Sequence, residues 1–174
     1  ISRIGLSRSR IMTEEKETLD YDGLIISDVG VLPQTEMKGD NKTGFYFWPR
    51  AERISDIAKA LPLADTVVIQ GGSLSCLKLA LAASRLGKEV IWVNPQKEIL
   101  AGAVDRETAT MLYNIVGESG IRVMNENAVV EILGDNDVKA IRLKSGKVIG
   151  AQMVFWGETK PDLRLFKDTG LIFQ

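Results

Sequence analysis

Hydrophobic and polar positions along this chain switch repeatedly between a strand period and a helix period. Thr66–Gln70 is a short apolar run that ends in the small residues Gly71, Gly72 and Ser73. From there to Leu86 the apolar positions recur at helical spacing, with Leu74, Leu77, Leu81 and Ala82 as a stripe widened by Leu79, Ala80, Ala83 and Leu86. Gly87 stops that helix, and Val90–Val93 returns to a β-rich run. Strand, glycine turn, helix and strand within about 30 residues predict a βαβ unit. The rest of the chain is organised around this stretch.

Upstream, Ile4, Leu6, Ile11 and Met12 suggest a short hairpin, and Leu24-Ile25-Ile26 reads as a short buried strand. Phe45-Tyr46-Phe47-Trp48 reads as an extended segment with alternate rings turned inward, or else as a stacking platform for bases. Arg50–Leu61 carries Ile54, Ile57, Ala58 and Leu61 on one face and predicts a short helix, with Pro49 at its start. Downstream, Thr108–Glu118 predicts a helix with Ala109, Leu112, Tyr113 and Val116 on its apolar side, ended by Gly120. From Ile121 the period becomes that of strands. Ile121–Met124, Ala128–Leu133, Val138–Leu143 and Lys147–Ile149 are parted by Asn-, Asp- and Gly-containing turns, and Met153–Trp156 is a last strand.

Composition changes this picture mainly by exclusion. The 174 residues are 45% hydrophobic and 26% charged, with a net charge of −1, so no general field draws in nucleic acid or an anionic membrane. No apolar run approaches the ~18–20 residues of a membrane span. The chain has no histidine, which removes an imidazole base, a Ser-His-Asp triad and histidine metal ligation. The single cysteine, Cys76, cannot form an internal disulfide or a zinc site alone, and a reduced, cytoplasmic setting is expected. Ile1 stands first and no signal peptide is visible, so the chain reads as a fragment or processed piece.

The candidate chemistry lies at the glycine turn. A helix N-terminus placed beside a strand end can hold a phosphate on its backbone N–H groups. The dinucleotide fingerprint is G-x-G-x-x-G, and here that register holds Gly71, Ser73 and Cys76, with Gly72 and Leu74 between. Gly71 and Gly72 make either a simple tight turn or a working phosphate turn. Cys76 is a small buried helix residue or a reactive thiol. Lys78 is a solvated helix lysine or a cation that reaches a phosphate. Asn94 caps the strand end before Pro95 or accepts a hydrogen bond from a nucleotide. Asp105 and Glu107 read as acidic charge at the start of the following helix.

The order of these signals resembles the pyridine nucleotide-disulfide oxidoreductase superfamily, in its NADH oxidase, nitrite reductase and rubredoxin reductase-like branch. The residues that carry the likeness are Leu19–Ile26, Arg50–Leu61, the βαβ of Thr66–Asn94, then Leu100 with Asp105 and Glu107, Gly120–Val123 and Leu143–Val154. The resemblance implies an α/β fold, a Rossmann-like NAD(P)-binding parallel sheet with helices and a β-meander in three layers. It implies that residues 49–153 are the NAD(P)H-binding domain, while 1–48 and 154–174 belong to an FAD domain whose remainder, or a partner subunit, lies elsewhere. The implied activity is hydride transfer from nicotinamide to flavin in the full-length protein. The alternative is a degenerate module on the same fold that binds no nucleotide and serves structure or subunit contact.

The resemblance marks Gly71, Gly72, Ser73, Leu74, Lys78, Asn94 and Gly157 as the residues facing NAD(P)H. FAD is expected in the parent protein and not stably in this chain. Against the family's pattern, Ser73 and Cys76 replace glycines, Asn94 replaces an acidic residue that would bind the adenosine ribose, and Lys78 replaces a glutamate near the nicotinamide. Ser27-Asp28-Val29 and Trp156-Gly157-Glu158 replace two small-residue turns that lie close to the cofactors. A weakened nucleotide site follows, along with exposed apolar surface at Leu24, Ile25, Ile26, Val154, Phe155 and Trp156.

Overall fold

The computed structural model describes residues 1–26, 37–48, 53–157, 166 and 169. The chain divides into two compact units, one of residues 1–33 with 159–174 and one of residues 34–158.

In the first unit, β1 (Arg3–Gly5), β2 (Arg10–Met12) and β3 (Thr18–Asp20) form an antiparallel sheet in that order. The expected hairpin is thus extended by a third strand. Arg10 pairs with Asp20 across the β2–β3 register. The expected strand at Leu24–Ile26 is not present: these residues are unpaired, with Ile25 96% and Ile26 44% exposed. A three-residue apolar run becomes a strand only when a neighbour takes its backbone groups, and none of the described strands does so. Ser27-Asp28-Val29 lie outside the described residues.

The second unit is built on a five-stranded sheet. Its strands are β4 (Phe45–Phe47), β5 (Thr66–Gln70), β6 (Glu89–Val93), β7 (Arg122–Met124) and β11 (Met153–Trp156), in the order β4-β11-β5-β6-β7 and all parallel. Parallel neighbours need crossovers, and α1 (Ile54–Ala60), α2 (Leu74–Arg85) and α3 (Arg106–Glu118) supply three of them. The fourth, from β7 back to β11, is an antiparallel meander of β8 (Val129–Leu133), β9 (Ala140–Leu143) and β10 (Val148–Gly150). The expected parallel sheet and meander are both present, with β7 in the sheet.

A parallel sheet must be covered on both faces. Strand alternation sends Tyr46, Val67, Ile69, Val90, Trp92, Met153 and Phe155 to one side, where they meet Ile57, Leu77, Ala80 and Val116 of the helices. It sends Phe45, Val68, Ile91, Val93, Val154 and Trp156 to the other, where they meet Val129, Ile132, Ile141 and Leu143 of the meander. Gln70, buried at the end of β5, ties the two layers by accepting the Val129 N–H at 2.8 Å on Oε1. The aromatics of β4 are core: Tyr46 stacks on Phe155, and Phe45 meets Phe47 edge-on.

Three expectations need correction here. The buried face of α2 is Cys76, Leu77, Ala80 and Ala83, while Leu74 and Leu86 are exposed and Ala82 faces outward. Many apolar residues around the helix left the stripe ambiguous, and the fit of small side chains against the sheet decided it. Tyr113, expected on the inner side of α3, is 43% exposed. Val154, Phe155 and Trp156, expected at the surface, are buried because β11 lies between β4 and β5.

Asp105 caps α3, accepting the Thr108 N–H at 2.8 Å, and that bond holds its carboxyl below the usual carboxylate range. A depressed folded pKa gives stability that is present above the unfolded value and lost as pH falls through the folded one. Asp105→Asn is therefore expected to flatten the acid limb of the pH–stability profile while leaving a usable cap at neutral pH, as followed by thermal melts across pH. In the core, Ile141→Ala is expected to cost about 2–5 kcal/mol in denaturant unfolding, because Ile141 is fully buried between meander and sheet. Val130→Ala, on the outer side of the same meander, is expected to change stability by no more than about 0.5 kcal/mol.

Candidate functional site

The parallel sheet has one place where chain order reverses. From β5 the chain runs outward to β6 and β7, whereas β11 sits on the other side of β5. Ligands of open α/β sheets bind in the crevice at the carboxyl ends of the strands at such a switch point. Gly71 and Gly72 follow β5 there, and Gly157 follows β11.

The turn is held from several directions. The Gly71 N–H donates to Val93 O at 3.0 Å, and its carbonyl accepts the indole N–H of Trp92 at 2.6 Å. Gly71 has φ = +129°, a conformation that a side chain would strain. The Gly157 N–H donates to Gln70 O at 2.7 Å and so continues the β5–β11 ladder past the end of β11. A Cβ on Gly157 would overlap Cys76 Sγ.

Ser73 caps α2: its hydroxyl accepts the Cys76 N–H at 3.4 Å and lies 2.8 Å from Ser75 Oγ. It is also 3.3 Å from Cys76 Sγ and 3.5 Å from Gly157 O. This cap was not read from the sequence, where Ser73 stood out only as a missing glycine. Its signal was a serine directly before a helical run. Cys76 is fully buried between Gly71 and Gly157. The close approach of helix to strand is thus kept, with a thiol filling the gap that a third glycine would leave.

The first N–H groups of a helix have no partner inside it, and the helix dipole adds partial positive charge there. Leu74, at the start of α2, is exposed, and Lys78 is exposed one turn further along the same side. The glycine turn, Ser73, Leu74 and Gly157 therefore come together at the carboxyl ends of β5 and β11. Asn94 is different. Its side chain is fully buried and spent on its own chain, donating to Gln96 O, Glu98 O and Asn125 Oδ1 at 2.9–3.2 Å and accepting the Gln96 N–H at 3.3 Å. These bonds pin the loop after β6 to the turn after β7. Gln96 was not singled out in the sequence, yet its side chain lies against Gly72.

Trp156 occupies the end of β11 where a small residue was expected, and it packs toward the meander. A separate cleft of about 290 Å³ beside β4 is lined by residues of the 40–47 segment and Arg53, none of them from the glycine turn. No group of acidic or cysteine side chains among the described residues is arranged to hold a metal ion. Among the same residues, no helix is long and apolar enough to cross a membrane.

A family model described as pyridine nucleotide-disulphide oxidoreductase matches residues 3–173. The assimilatory nitrate reductase electron transfer subunit of Bacillus subtilis (strain 168) is 23% identical, over 98% of this chain and 22% of its own length. The rubredoxin-NAD(+) reductase of Ectopseudomonas oleovorans is 24% identical, over 98% of this chain and 45% of its own length. Among solved structures, the ferredoxin reductase for the CYP199A2 system from Rhodopseudomonas palustris superposes with a TM-score of 0.79 at 17% identity, over 99% of this chain and 43% of that one. The chain spans less than half the length of each of these proteins. With the Rossmann-like sheet and its glycine turn in place, the match across nearly its whole length means that the chain belongs to the pyridine nucleotide-disulphide oxidoreductase family.

Proposed function

We propose that this chain is the NAD(P)H-binding part of an FAD-dependent oxidoreductase, with flavin held largely by protein outside these residues. The observation that carries the reading is the Gly71–Gly72 turn at the sheet's switch point, feeding the N-terminus of α2. Both glycines are required there: Gly71 takes a positive φ, and a Cβ on Gly72 would come within 3 Å of the side-chain oxygens of Gln96 and Asn94.

The chemistry supplied when both cofactors are bound is hydride transfer from nicotinamide to flavin. The chain's own residues bind and orient. Backbone N–H groups of Gly72, Ser73 and Leu74 face the anion, the Trp92 indole fixes the turn, and Gly157 borders the crevice. Lys78 stands within one helical turn as a mobile countercharge. No side chain here has to move a proton. The nucleotide-binding part comprises 49–153 together with β4 and β11, whose hydrogen bonds complete the same sheet. The setting is cytoplasmic, and the partner is the remainder of the flavin domain or a second subunit.

The crowding at the turn favours a second reading, a structural module that has lost the nucleotide. The Ser73 hydroxyl and Cys76 sulfur lie where the family keeps glycine, and both lie close to Gly157. A calorimetric titration with NADH separates the two readings. Weak, saturable binding is expected, strengthened about tenfold by Ser73→Gly with Cys76→Gly, a gain of about 1.4 kcal/mol. No heat from either protein, both folded, would leave the structural module. The packing itself has its own check. Gly157→Ala is expected to cost about 1–3 kcal/mol beside Cys76 and distinctly less in a Cys76→Gly background, as read in a double-mutant cycle of unfolding.

A further inference from the structure

The small antiparallel sheet of β1, β2 and β3 has two unlike faces. Strand alternation turns Ile4 to one side, where it is buried. On the other side Arg3, Met12 and Thr18 stand opposite one another across the sheet, followed by Gly5, Arg10 and Asp20. Gly5 puts no side chain on that face, so the sheet is bare beside Arg10 and one pleat from Arg3. The 3-10 turn Leu6–Arg8 then brings Ser7 and Arg8 to the edge of the bare spot. The result is a cleft of about 560 Å³ whose lining includes Arg3, Ser7, Arg8, Arg10, Met12 and Thr18. Among the described residues no acidic side chain lines it. Arg10 is paired with Asp20, whereas Arg3 and Arg8 have no ion-pair partner among the described residues. Asp20 and Asp22 border Arg8 only from an adjoining hollow.

We propose that this cleft binds a small organic phosphate, with the phosphate monoester between Arg3 and Arg8. The charge count selects the group. Two unpaired guanidiniums match the charge of about −1.5 to −2 that a phosphate monoester carries near neutral pH. Each guanidinium offers a planar fork of donors to phosphate oxygens, and Ser7 adds a hydroxyl. Size selects the class. The cleft falls within the roughly 300–1,000 Å³ of small-molecule sites and has room well beyond the phosphate alone. The rest of the ligand lies over Gly5 toward Met12 and Thr18. The backbone does not demand glycine there: φ is −111°, and a Cβ would find no atom closer than Arg10 O at 3.4 Å. A larger side chain at this position therefore fits the strand and fills the cleft floor. The cleft is lined by residues between Arg3 and Thr18 alone, so it is independent of the nucleotide reading above.

The test is calorimetric titration of the full 174-residue chain with ribose 5-phosphate, ribose and inorganic phosphate at low salt. NADH is titrated separately, and each protein is melted as a check on folding. Ribose 5-phosphate is expected to bind saturably and ribose to give no heat. Inorganic phosphate should bind at least about threefold more weakly, because it fills only the charged end. Arg3→Gln and Arg8→Gln are each expected to weaken ribose 5-phosphate about fivefold, near the upper end for an exposed ion pair. Gly5→Leu is expected to abolish its binding with every arginine still in place. The response to NADH should be the same in all of these proteins. Unchanged ribose 5-phosphate binding in Gly5→Leu overturns the proposal, since the arginines would then act only as a diffuse field. So does binding that NADH displaces and that Arg3→Gln and Arg8→Gln leave intact, which would put the phosphate at the glycine turn. Absence of saturable binding to the folded, unmodified chain overturns it outright, and equal affinity for inorganic phosphate overturns the organic part of the ligand. If Gly5→Leu fails to fold, the two arginine variants decide.

Discussion

Five parallel strands cannot leave either face to water, and that constraint shapes the whole 34–158 unit. Each strand must be apolar on both sides, so the runs in β5, β6 and β11 are nearly unbroken. Helices cover one face, with small residues such as Ala80 and Ala83 allowing α2 to come close. The other face is closed by the meander, whose strands alternate because only their inner side is buried. Where the two layers and the sheet meet, at the end of β5, Gln70 does three jobs. Its side chain anchors the meander, its carbonyl extends the ladder to Gly157, and its position sets where the glycine turn begins.

That arrangement explains which features could be read from the sequence. The βαβ unit was legible because its period changes twice within a short stretch and glycine marks each change. The meander was legible because its turns carry Asn, Asp and Gly between alternating runs. The helix stripe on α2 was not, since Leu and Ala occur on nearly every side and only contact with the sheet selects Cys76 and Ala80. Leu24–Ile26 shows the opposite failure, a good strand composition without a paired neighbour. The glycine turn was legible as a motif, but the local bonding around it was not. Ser73 as a cap had only a local signal, a serine directly before a helical run, whereas Asn94 as a staple depends on Asn125, distant in sequence.

The crevice reconciles two opposed demands. A nucleotide site needs bare backbone, while a stable crossing of helix and strand needs filled space. Here the sulfur of Cys76 takes the volume between Gly71 and Gly157, and the burden of having no side chain passes from the helix to the facing strand end. The turn keeps its backbone course, but with less free space than three glycines would leave.

Strand order also dictates a sequence of events during synthesis. Of the five strands of this sheet β11 is the last made, yet it lies between β4 and β5. Until Met153–Trp156 leave the ribosome, β4 has no seat in the sheet and β5 presents a naked, aggregation-prone edge. The sheet cannot be assembled progressively from the N-terminus. Its second position is filled by insertion, after the meander has been threaded past β7. A ribosome that stalled after β7 and before residue 153 would hold a half-sheet with an open seam, the form of this domain most in need of a chaperone.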